Sequence, residues 1–269
     1  MHLKKIFLTA LLLSIFVLNI QAQDTLKVYP NGSYFLSYFK DAKDIAIAPI
    51  KWDKKEWLIA GGVVGATLLA NQYDKQIQNY FQNRQTVLGQ NISAHGFEPW
   101  GSGLYTFPTL GLFYLQGAIF KNQDSKKVAL LGVKAYVLSG IFVQIPKYLI
   151  NRHRPYNDNP SIPNQFDGPN APFYKSFPSG HTTSAFAVAA VIASEYRSTI
   201  WVPIVSYTLA SFMGLSRIYD NKHWASDVLF GAAFGWAIGK LVYHSNHWKI
   251  KTIPVVSHDS ASLHFSIQL

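Results

Sequence analysis

The sequence contains no cysteine among its 269 residues. Disulfides, thiolate metal sites and phosphatases that use a cysteine nucleophile are therefore excluded. Charged residues are also scarce, at 14%, while aromatic residues reach 15% and apolar residues 49%. A soluble domain usually carries about 25% charged residues. The composition therefore favours a protein of the cell envelope, and a chain of this length can bury the core of one domain.

Acidic residues are few, with 14 Asp and Glu against 24 Lys and Arg, which gives a formal net charge of +10. No Asp-x-Asp pair occurs, and the carboxylates are too scattered for a two-metal site. His244 and His247, the nearest pair of candidate ligands, follow the last apolar segment, where an interfacial role is favoured. We therefore predict no metal and no other cofactor. The charge favours anionic partners, but the lack of a long Lys/Arg run argues against nucleic acid.

The N-terminus has the pattern of a secretory signal over residues 1–22. Lys4 and Lys5 precede an apolar run at 6–20, and Ala22 is a small residue suited to cleavage after it. An uncleaved membrane anchor is the alternative, although the run is shorter than the roughly 20 residues that a span needs. Both interpretations predict that the chain is delivered out of the cytoplasm.

Six apolar segments of helix length follow an amphipathic segment at 23–55, in which we predict a short interfacial helix. Gly and Ala are frequent in the six segments, as in tightly packed helices. The sequence thus predicts an all-α fold, a bundle of about six apolar helices in one domain over 56–247. In the tail at 248–269, Leu263, Phe265, Ile267 and Leu269 alternate with polar residues, which predicts a short strand. The six segments are 57–70, 104–120, 128–150, 182–196, 200–215 and 225–243.

The lengths of these segments leave open whether they cross a bilayer. Several are shorter than about 20 residues, and two of them carry Lys134 and Lys240, so a soluble bundle core would have the same pattern.

Lys147, Arg154 and Pro155 form the pattern K-x6-RP at the end of the third segment. Seven residues are almost two helical turns, which predicts both cations on one helix face, with Pro155 turning the chain out of the helix at Arg154. The two cations can then converge on one anion. Taken alone, a solvated basic pair at a helix end is the alternative. A proline-rich loop follows up to Pro178, and long irregular loops in compact domains are usually functional.

The second motif, Pro178-Ser179-Gly180-His181, directly precedes an apolar helix. Ser179 can cap this helix, and the free N–H groups of its first turn can bind an anion next to His181. The third motif is Ser216-Arg217, followed by His223 and Asp227, which are four residues apart. Asp227 can accept a hydrogen bond from one imidazole nitrogen and orient the other, although such pairs are also common as plain helix-surface contacts.

In this order and spacing, K-x6-RP, PSGH and SR-x5-H-x3-D resemble the signature of the type 2 phosphatidic acid phosphatase superfamily. This family includes bacterial class A acid phosphatases and vanadium haloperoxidases. All eleven signature positions are present. The similarity covers about 57–243, with the motifs in the second half.

The resemblance implies that His223 attacks phosphorus while Asp227 orients it. It also implies that His181 protonates the leaving oxygen and then activates water. The phosphate-binding residues that it implies are Lys147, Arg154, Ser179, Gly180 and Arg217.

The resemblance further implies a metal-independent phosphatase that acts on a phosphomonoester or pyrophosphate through a phosphohistidine. The composition of the helices favours a lipid substrate in a membrane: phosphatidate, phosphatidylglycerol phosphate, a polyprenyl pyrophosphate or lipid A. The alternatives are a soluble periplasmic acid phosphatase, a vanadium haloperoxidase and a non-catalytic lipid-binding membrane protein.

For the location, we expect the inner membrane with the site facing the periplasm, or a wholly periplasmic protein. If residues 23–55 lie outside the cytoplasm, three spans before residue 151 would place the site in the cytoplasm. The resemblance implies a site on the outer side, so segment 57–70 is the one expected not to span.

Overall fold

The computed structural model describes residues 29–156, 162–169 and 175–245, together with the backbone of two strands at 251–257 and 260–266. The predicted signal at 1–22 and its cleavage site lie outside the described residues. So do the side chains of the C-terminal tail, including His247.

The described part of the chain is a bundle of α-helices, as the sequence predicts. Each of the six apolar segments lies largely within helices. Further short helices precede the second segment, and a 20-residue helix at Gly32–Lys51 lies within the predicted amphipathic segment. The helices are α1 (Gly32–Lys51), α2 (Lys54–Gln82), α3 (Val87–Ile92), α4 (Glu98–Ser102), α5 (Thr106–Ile119), α6 (Gln123–Phe142), α7 (Gln144–Ile150), α8 (Gly180–Glu195), α9 (Trp201–Tyr219) and α10 (Ala225–Ser245), with a π-helical turn at Ser93–Phe97 between α3 and α4.

The tail at the C-terminus folds as an antiparallel pair of strands, β1 (Lys251–Ser257) and β2 (Ser260–Ser266). Lys251 pairs with Ser266 at one end of the ladder, and Ser257 pairs with Ser260 at the other. The single strand expected in this tail is thus half of a hairpin.

Helix α2 is longer than the apolar segment that predicts it. It begins with a capping box, in which Asp53 and Glu56 bind each other's backbone N–H groups. It continues twelve residues beyond the apolar run because Asp74 and Gln78 in this polar stretch are buried against the bundle. Gln78 donates to Asn221 Oδ1 at 2.9 Å. The polar end of α2 therefore packs next to the loop that follows α9.

Helix α8 lies at the centre of the bundle, in contact with α6, α9 and α10. Its small residues, such as Ala187 and Ala190, are fully buried and let neighbouring helices approach closely. In α10, Gly235 faces the backbone of α8, and a Cβ atom at this position would lie 2.0 Å from Thr183 O. A glycine at this position is therefore required by the distance between the two backbones.

We expect Gly235→Ala to destabilise the protein, because the added methyl group would force α8 and α10 apart, with an effect of about 1–3 kcal/mol or more. The matched control is Gly62→Ala in α2, where an added Cβ meets nothing within 4 Å. That variant should be neutral or stabilised by up to about 1 kcal/mol, since alanine is the better helix former. Thermal unfolding of both variants checks this, and equal midpoints would contradict the packing argument.

Lys134 places a charge within the third apolar segment, which disfavours a simple membrane span. Its side chain is fully buried and forms an ion pair. Its Nζ lies 2.6 Å from Asp41 Oδ2 and 2.8 Å from Ser37 Oγ, both on α1. Lys240 in α10 donates to Ser194 Oγ at 3.0 Å. The first of these contacts also explains how α1 is fixed to α6.

Two helical stretches among the described residues are long and apolar enough to cross a membrane, Gln123–Ile150 and Ala225–Ser245. The first covers α6 and α7, and the second is α10. Segment 57–70, the one expected not to span, is not among them. Because α7 ends and α10 begins at the same end of the bundle, the three motifs meet there, together with the start of α8 and the end of α9.

Candidate active site

A cavity of about 410 Å³ opens at the end of the bundle where the three motifs meet. Residues from each motif contribute to its wall. Three cations line the cavity, Lys147 and Arg154 of the first motif and Lys175 of the proline-rich loop, and the described part of the wall contains no carboxylate. The cavity is therefore suited to an anion. Its lining residues are Gly101, Ser102, Tyr136, Gly140, Val143, Gln144, Lys147, Arg154, Lys175, Gly180, His181, Ser184 and His223.

Lys147 and Arg154 both reach this cavity, but not from one helix face as predicted. Helix α7 ends at Ile150, because Asn151 adopts a left-handed conformation with φ 46°. Arg154 therefore approaches the cavity from the loop, while Lys147 approaches from the last turn of α7. Lys147 Nζ also donates to Lys175 O at 2.8 Å and to Pro178 O at 2.5 Å. These bonds hold the second motif against the first.

Ser179 is the N-cap of α8, as its position in the sequence predicts. Its hydroxyl oxygen accepts a hydrogen bond from the backbone N–H of Thr182 and one from Thr182 Oγ1 at 2.8 Å. The Ser179 side chain is fully buried and is not part of the cavity wall. Gly180, the first residue of α8, does line the cavity, so the N-terminal turn of this helix can bind an anion there.

His223 lies on the cavity wall, buried, in the loop between α9 and α10. Its backbone N–H donates to Arg217 O at 3.2 Å, which fixes the loop. Burial lowers the pKa of His223 to about 3, and the cations Lys147 and Arg154 act in the same direction, while Asp227 opposes them. The imidazole is therefore neutral at ordinary pH, with a lone pair available for attack.

Asp227 lies behind His223, with its Oδ2 3.6 Å from His223 Nδ1. This separation is longer than the hydrogen bond expected for residues four apart on a helix. The reason is that His223 precedes α10, while Asp227 occupies its first turn and accepts the backbone N–H of Trp224 at 3.0 Å. The same oxygen accepts from Ser176 Oγ at 2.5 Å. The carboxylate is thus within a small movement of His223.

Arg152 is a site residue that the sequence analysis missed. Its guanidinium is buried and bridges two buried carboxylates, Asp74 of α2 and Asp227 of α10, at 2.7 and 2.6 Å. All five of its N–H donors are used. The sequence signal was present, since Arg152 stands two residues before the signature arginine. The acceptors are Pro163 O, Asn71 Oδ1, Asp74 Oδ2, Ser226 Oγ and Asp227 Oδ1.

His181 lines the cavity near its opening, with 38% of its side chain exposed. Its Nε2 lies 3.0 Å from Glu98 Oε1. Glu98 is the second site residue that could not be found from the sequence. It lies 83 positions from His181 in the chain, and no local pattern connects the two residues. Burial lowers the pKa of His181, and Arg217 acts in the same direction, while Glu98 opposes them.

Arg217, predicted to bind phosphate, is buried next to the cavity but is not part of its wall. Its Nη2 lies 2.8 Å from Asp220 Oδ2, and its Nη1 lies 3.9 Å from Glu98 Oε1. The structure thus places His223, His181, Lys147, Arg154 and Gly180 around one cavity, with Asp227 directly behind His223. Ser179 and Arg217 adjoin this group with their polar atoms engaged elsewhere.

No cluster of three or more His, Asp or Glu side chains with the spacing of a metal site occurs in the described residues. His244, at the end of α10, is exposed and lies outside the cavity wall.

The bundle thus presents a cationic cavity with two histidines on its wall. The family model for the PAP2 superfamily matches residues 129–251. A decaprenylphosphoryl-5-phosphoribose phosphatase of Mycobacterium tuberculosis is 34% identical over 155 residues, which cover 57% of this chain and 79% of the relative. The chain belongs to the PAP2 superfamily, the type 2 phosphatidic acid phosphatases, as the three motifs predict.

Two further comparisons describe the relatives. A lipid A 1-phosphatase of Porphyromonas gingivalis is 38% identical over 139 residues, or 51% of this chain. The alignment spans 28% of that relative, so the chain matches less than a third of its length. The crystal structure of Aquifex aeolicus LpxE aligns with a TM-score of 0.47 and 24% identity, over 63% of this chain and 93% of that one.

Proposed function

We propose that the protein is a phosphatase that removes a phosphate group from a lipid through a phosphohistidine at His223. The observation that carries this proposal is a buried imidazole on the wall of a cationic cavity, with a carboxylate behind it and a second histidine on the same wall. Binding alone does not need a nucleophile with an orienting carboxylate, so the arrangement favours an enzyme.

The proposed reaction has two steps. Since Nδ1 of His223 faces Asp227, Nε2 is the nitrogen that attacks phosphorus. The P–N bond forms as the P–O bond breaks, and His181 gives a proton to the departing oxygen. In the second step a water oxygen attacks phosphorus, its proton passes to His181, and the P–N bond breaks to release phosphate and the free imidazole. Asp227 stabilises the positive charge that His223 carries in between.

The cations of the cavity stabilise the phosphoryl oxygens. Lys147 and Arg154 are placed on the wall for this role, and the N-terminal turn of α8 at Gly180 adds backbone N–H groups. We include Arg217 and Ser179 in the phosphate site because both residues belong to the PAP2 signature motifs. For Arg217 this role requires a rotation of the side chain away from Asp220 toward the cavity.

A lipid substrate is supported by a second cavity of about 590 Å³ between α5, α8 and α9. Its wall is mainly apolar, with residues such as Leu110, Val188 and Leu209. Helices α4 and α8 contribute to both cavities: Trp100 and Ala185 line the apolar cavity, and their chain neighbours Gly101 and Ser184 line the cationic one. The volume is in the range of ligand pockets, and its chemistry suits a hydrocarbon chain attached to the phosphate.

A position in the membrane is supported by the two candidate spans and by large apolar side chains on the surface. Leu58, Leu68 and Leu69 of α2 are more than half exposed. Such a surface is expected to contact lipid. We propose an exported protein of the inner membrane with the cavity facing the periplasm. Alkaline extraction of membranes tests this, since release into the supernatant would indicate a peripheral or soluble protein.

Phosphate release from a panel of substrates tests the function. The panel contains one small ester, short-chain and long-chain phosphatidate, a polyprenyl pyrophosphate and lipid A. We expect kcat/KM to rise with chain length, because longer chains fill more of the apolar cavity. Equal kcat/KM for the small ester and all lipids would instead indicate a non-specific acid phosphatase. Bromide oxidation by hydrogen peroxide in a vanadate-loaded sample, with no phosphate release in a vanadate-free sample, would indicate a haloperoxidase. No turnover in either assay would indicate a binding protein.

The pH dependence of kcat/KM should show an acidic optimum. His223 must be neutral to attack, which holds above its pKa of about 3. His181 must be protonated to donate, which holds below a pKa that lies under the ordinary value of 6.5. The maximum is therefore expected between these limits, after correction for substrate ionisation. A maximum above pH 7 would contradict this assignment of the two histidines.

A further inference from the structure

Glu98 contacts the proposed acid–base histidine from a part of the chain that no motif includes. Its carboxylate Oε1 lies 3.0 Å from His181 Nε2, and 31% of its side chain is exposed. Gly101, on the same short helix α4, packs against the His181 side chain. A Cβ atom at Gly101 would lie 2.7 Å from His181 Cβ and 3.0 Å from its Cδ2. Helix α4 therefore both supports the imidazole and binds one of its nitrogens.

We propose that Glu98 is the positioning residue for His181, so that the site holds two imidazole–carboxylate pairs, His223 with Asp227 and His181 with Glu98. The proposal rests on the proposed function, in which His181 donates and then accepts a proton. With Nε2–H bound to Glu98, the other nitrogen exchanges the proton with the leaving oxygen and then with water. The Glu98 carboxylate stabilises the imidazolium form of His181, as the carboxylate of a catalytic triad does.

The charges around His181 show why such a partner is needed. Burial and the cations disfavour the protonated imidazole, and Glu98 is the carboxylate that offsets them. The charged and titratable groups that face His181 are Glu98 from α4, Arg217 from α9 and Arg154 from the loop, and those on the same cavity wall are Tyr136, Lys147, Lys175 and His223. Without the charge of Glu98, less of the enzyme would hold the proton that the leaving oxygen needs.

The test compares Glu98→Gln with wild type on two esters, using kcat/KM, which reports the steps up to transfer of phosphorus to His223. An alkyl phosphate needs a proton on its leaving oxygen, whereas p-nitrophenyl phosphate releases a stable anion. We expect kcat/KM for the alkyl ester to fall about 10²-fold. The loss for the p-nitrophenyl ester should be far smaller. The alkaline limb of the pH profile should move to lower pH, and Glu98→Asp, which keeps the charge, should recover part of the loss.

Asp220→Asn is the matched control, because Asp220 also binds Arg217 but does not contact His181. It should affect both esters by the same factor. If Glu98→Gln also lowers both equally and leaves the alkaline limb in place, Glu98 has only a structural role and the proposal is overturned.

A readout independent of turnover separates this proposal from the proposed function. The imidazole titration of His181 can be followed by NMR of labelled histidine, assigned by its loss in His181→Asn. Glu98→Gln should shift this titration to lower pH, and an unchanged titration would overturn the pairing. A wild-type protein that shows the pairing but releases no phosphate from any ester would contradict the phosphatase and leave the pairing in place.

Discussion

Replacement of His223 by Asn is expected to reduce phosphate release by about 10⁴-fold or more, since removal of a nucleophile eliminates the covalent route. Asparagine is smaller and polar, so it fits the buried loop position without adding volume. The variant should also fail to form a labelled phosphoenzyme when the reaction is quenched before the phosphohistidine is hydrolysed. Rates and labelling are measured side by side with the wild-type protein.

His244→Asn is the control for this experiment. His244 is exposed at the end of α10 and lies outside the cavity, so this variant should keep the wild-type rate. A His223→Asn protein that is as active as the His244→Asn protein would remove His223 from the reaction and with it the proposed phosphohistidine.

Replacement of Arg152 by Met is expected to have the second largest effect. It leaves two buried carboxylates, Asp74 and Asp227, without their shared cation. Loss of one partner of a buried ion pair destabilises a protein by about 3–5 kcal/mol. The folded fraction should also lose most of its activity, because Asp227 Oδ1 loses its cation and only the bonds of Oδ2 to Trp224 and Ser176 still hold the carboxylate behind His223. Thermal unfolding in detergent and the rate per folded molecule measure the two effects separately.

Lys134→Met is the matched control, since Lys134 is another fully buried cation with a carboxylate at 2.6 Å, but it lies away from the cavity. It should lower the unfolding midpoint by a similar amount while the rate per folded molecule stays near that of the wild type. Arg152→Lys keeps the charge with three donors in place of five and should fall between Met and the wild type. If Arg152→Met and Lys134→Met have equal activity per folded molecule, Arg152 is structural only.

The helices and the cap of α8 could be predicted because their signals are local. Apolar runs of helix length, together with Ser179 before an apolar helix, have the same meaning in any fold. The exact ends were less predictable. Helix α2 extends to Gln82 because Asp74 and Gln78 are buried by contacts with distant parts of the chain. The conformation of Asn151, which ends α7, moved Arg154 off the helix face assumed for it.

The motif residues that meet at the cavity could be named from the sequence, whereas their partners could not. Arg152 reaches Asp74 and Asp227 across 78 and 75 positions, and Glu98 reaches His181 across 83. No periodicity connects residues so far apart, and carboxylates of this kind are common on surfaces. Their roles become visible only once burial shows which charges need a partner.

By itself, the sequence determined that this protein is a cysteine-free, basic, helical member of the PAP2 superfamily whose three motifs carry histidines and cations. Local spacing and residue chemistry are sufficient for that. Only the tertiary structure decided that Asp227 is held by Arg152 and lies 3.6 Å from His223, that Arg217 faces Asp220, and that Glu98 binds His181. Two of these contacts, Arg152 with Asp227 and Glu98 with His181, join distant segments. The other two are local pairs, whose side-chain orientations depend on the packing around them.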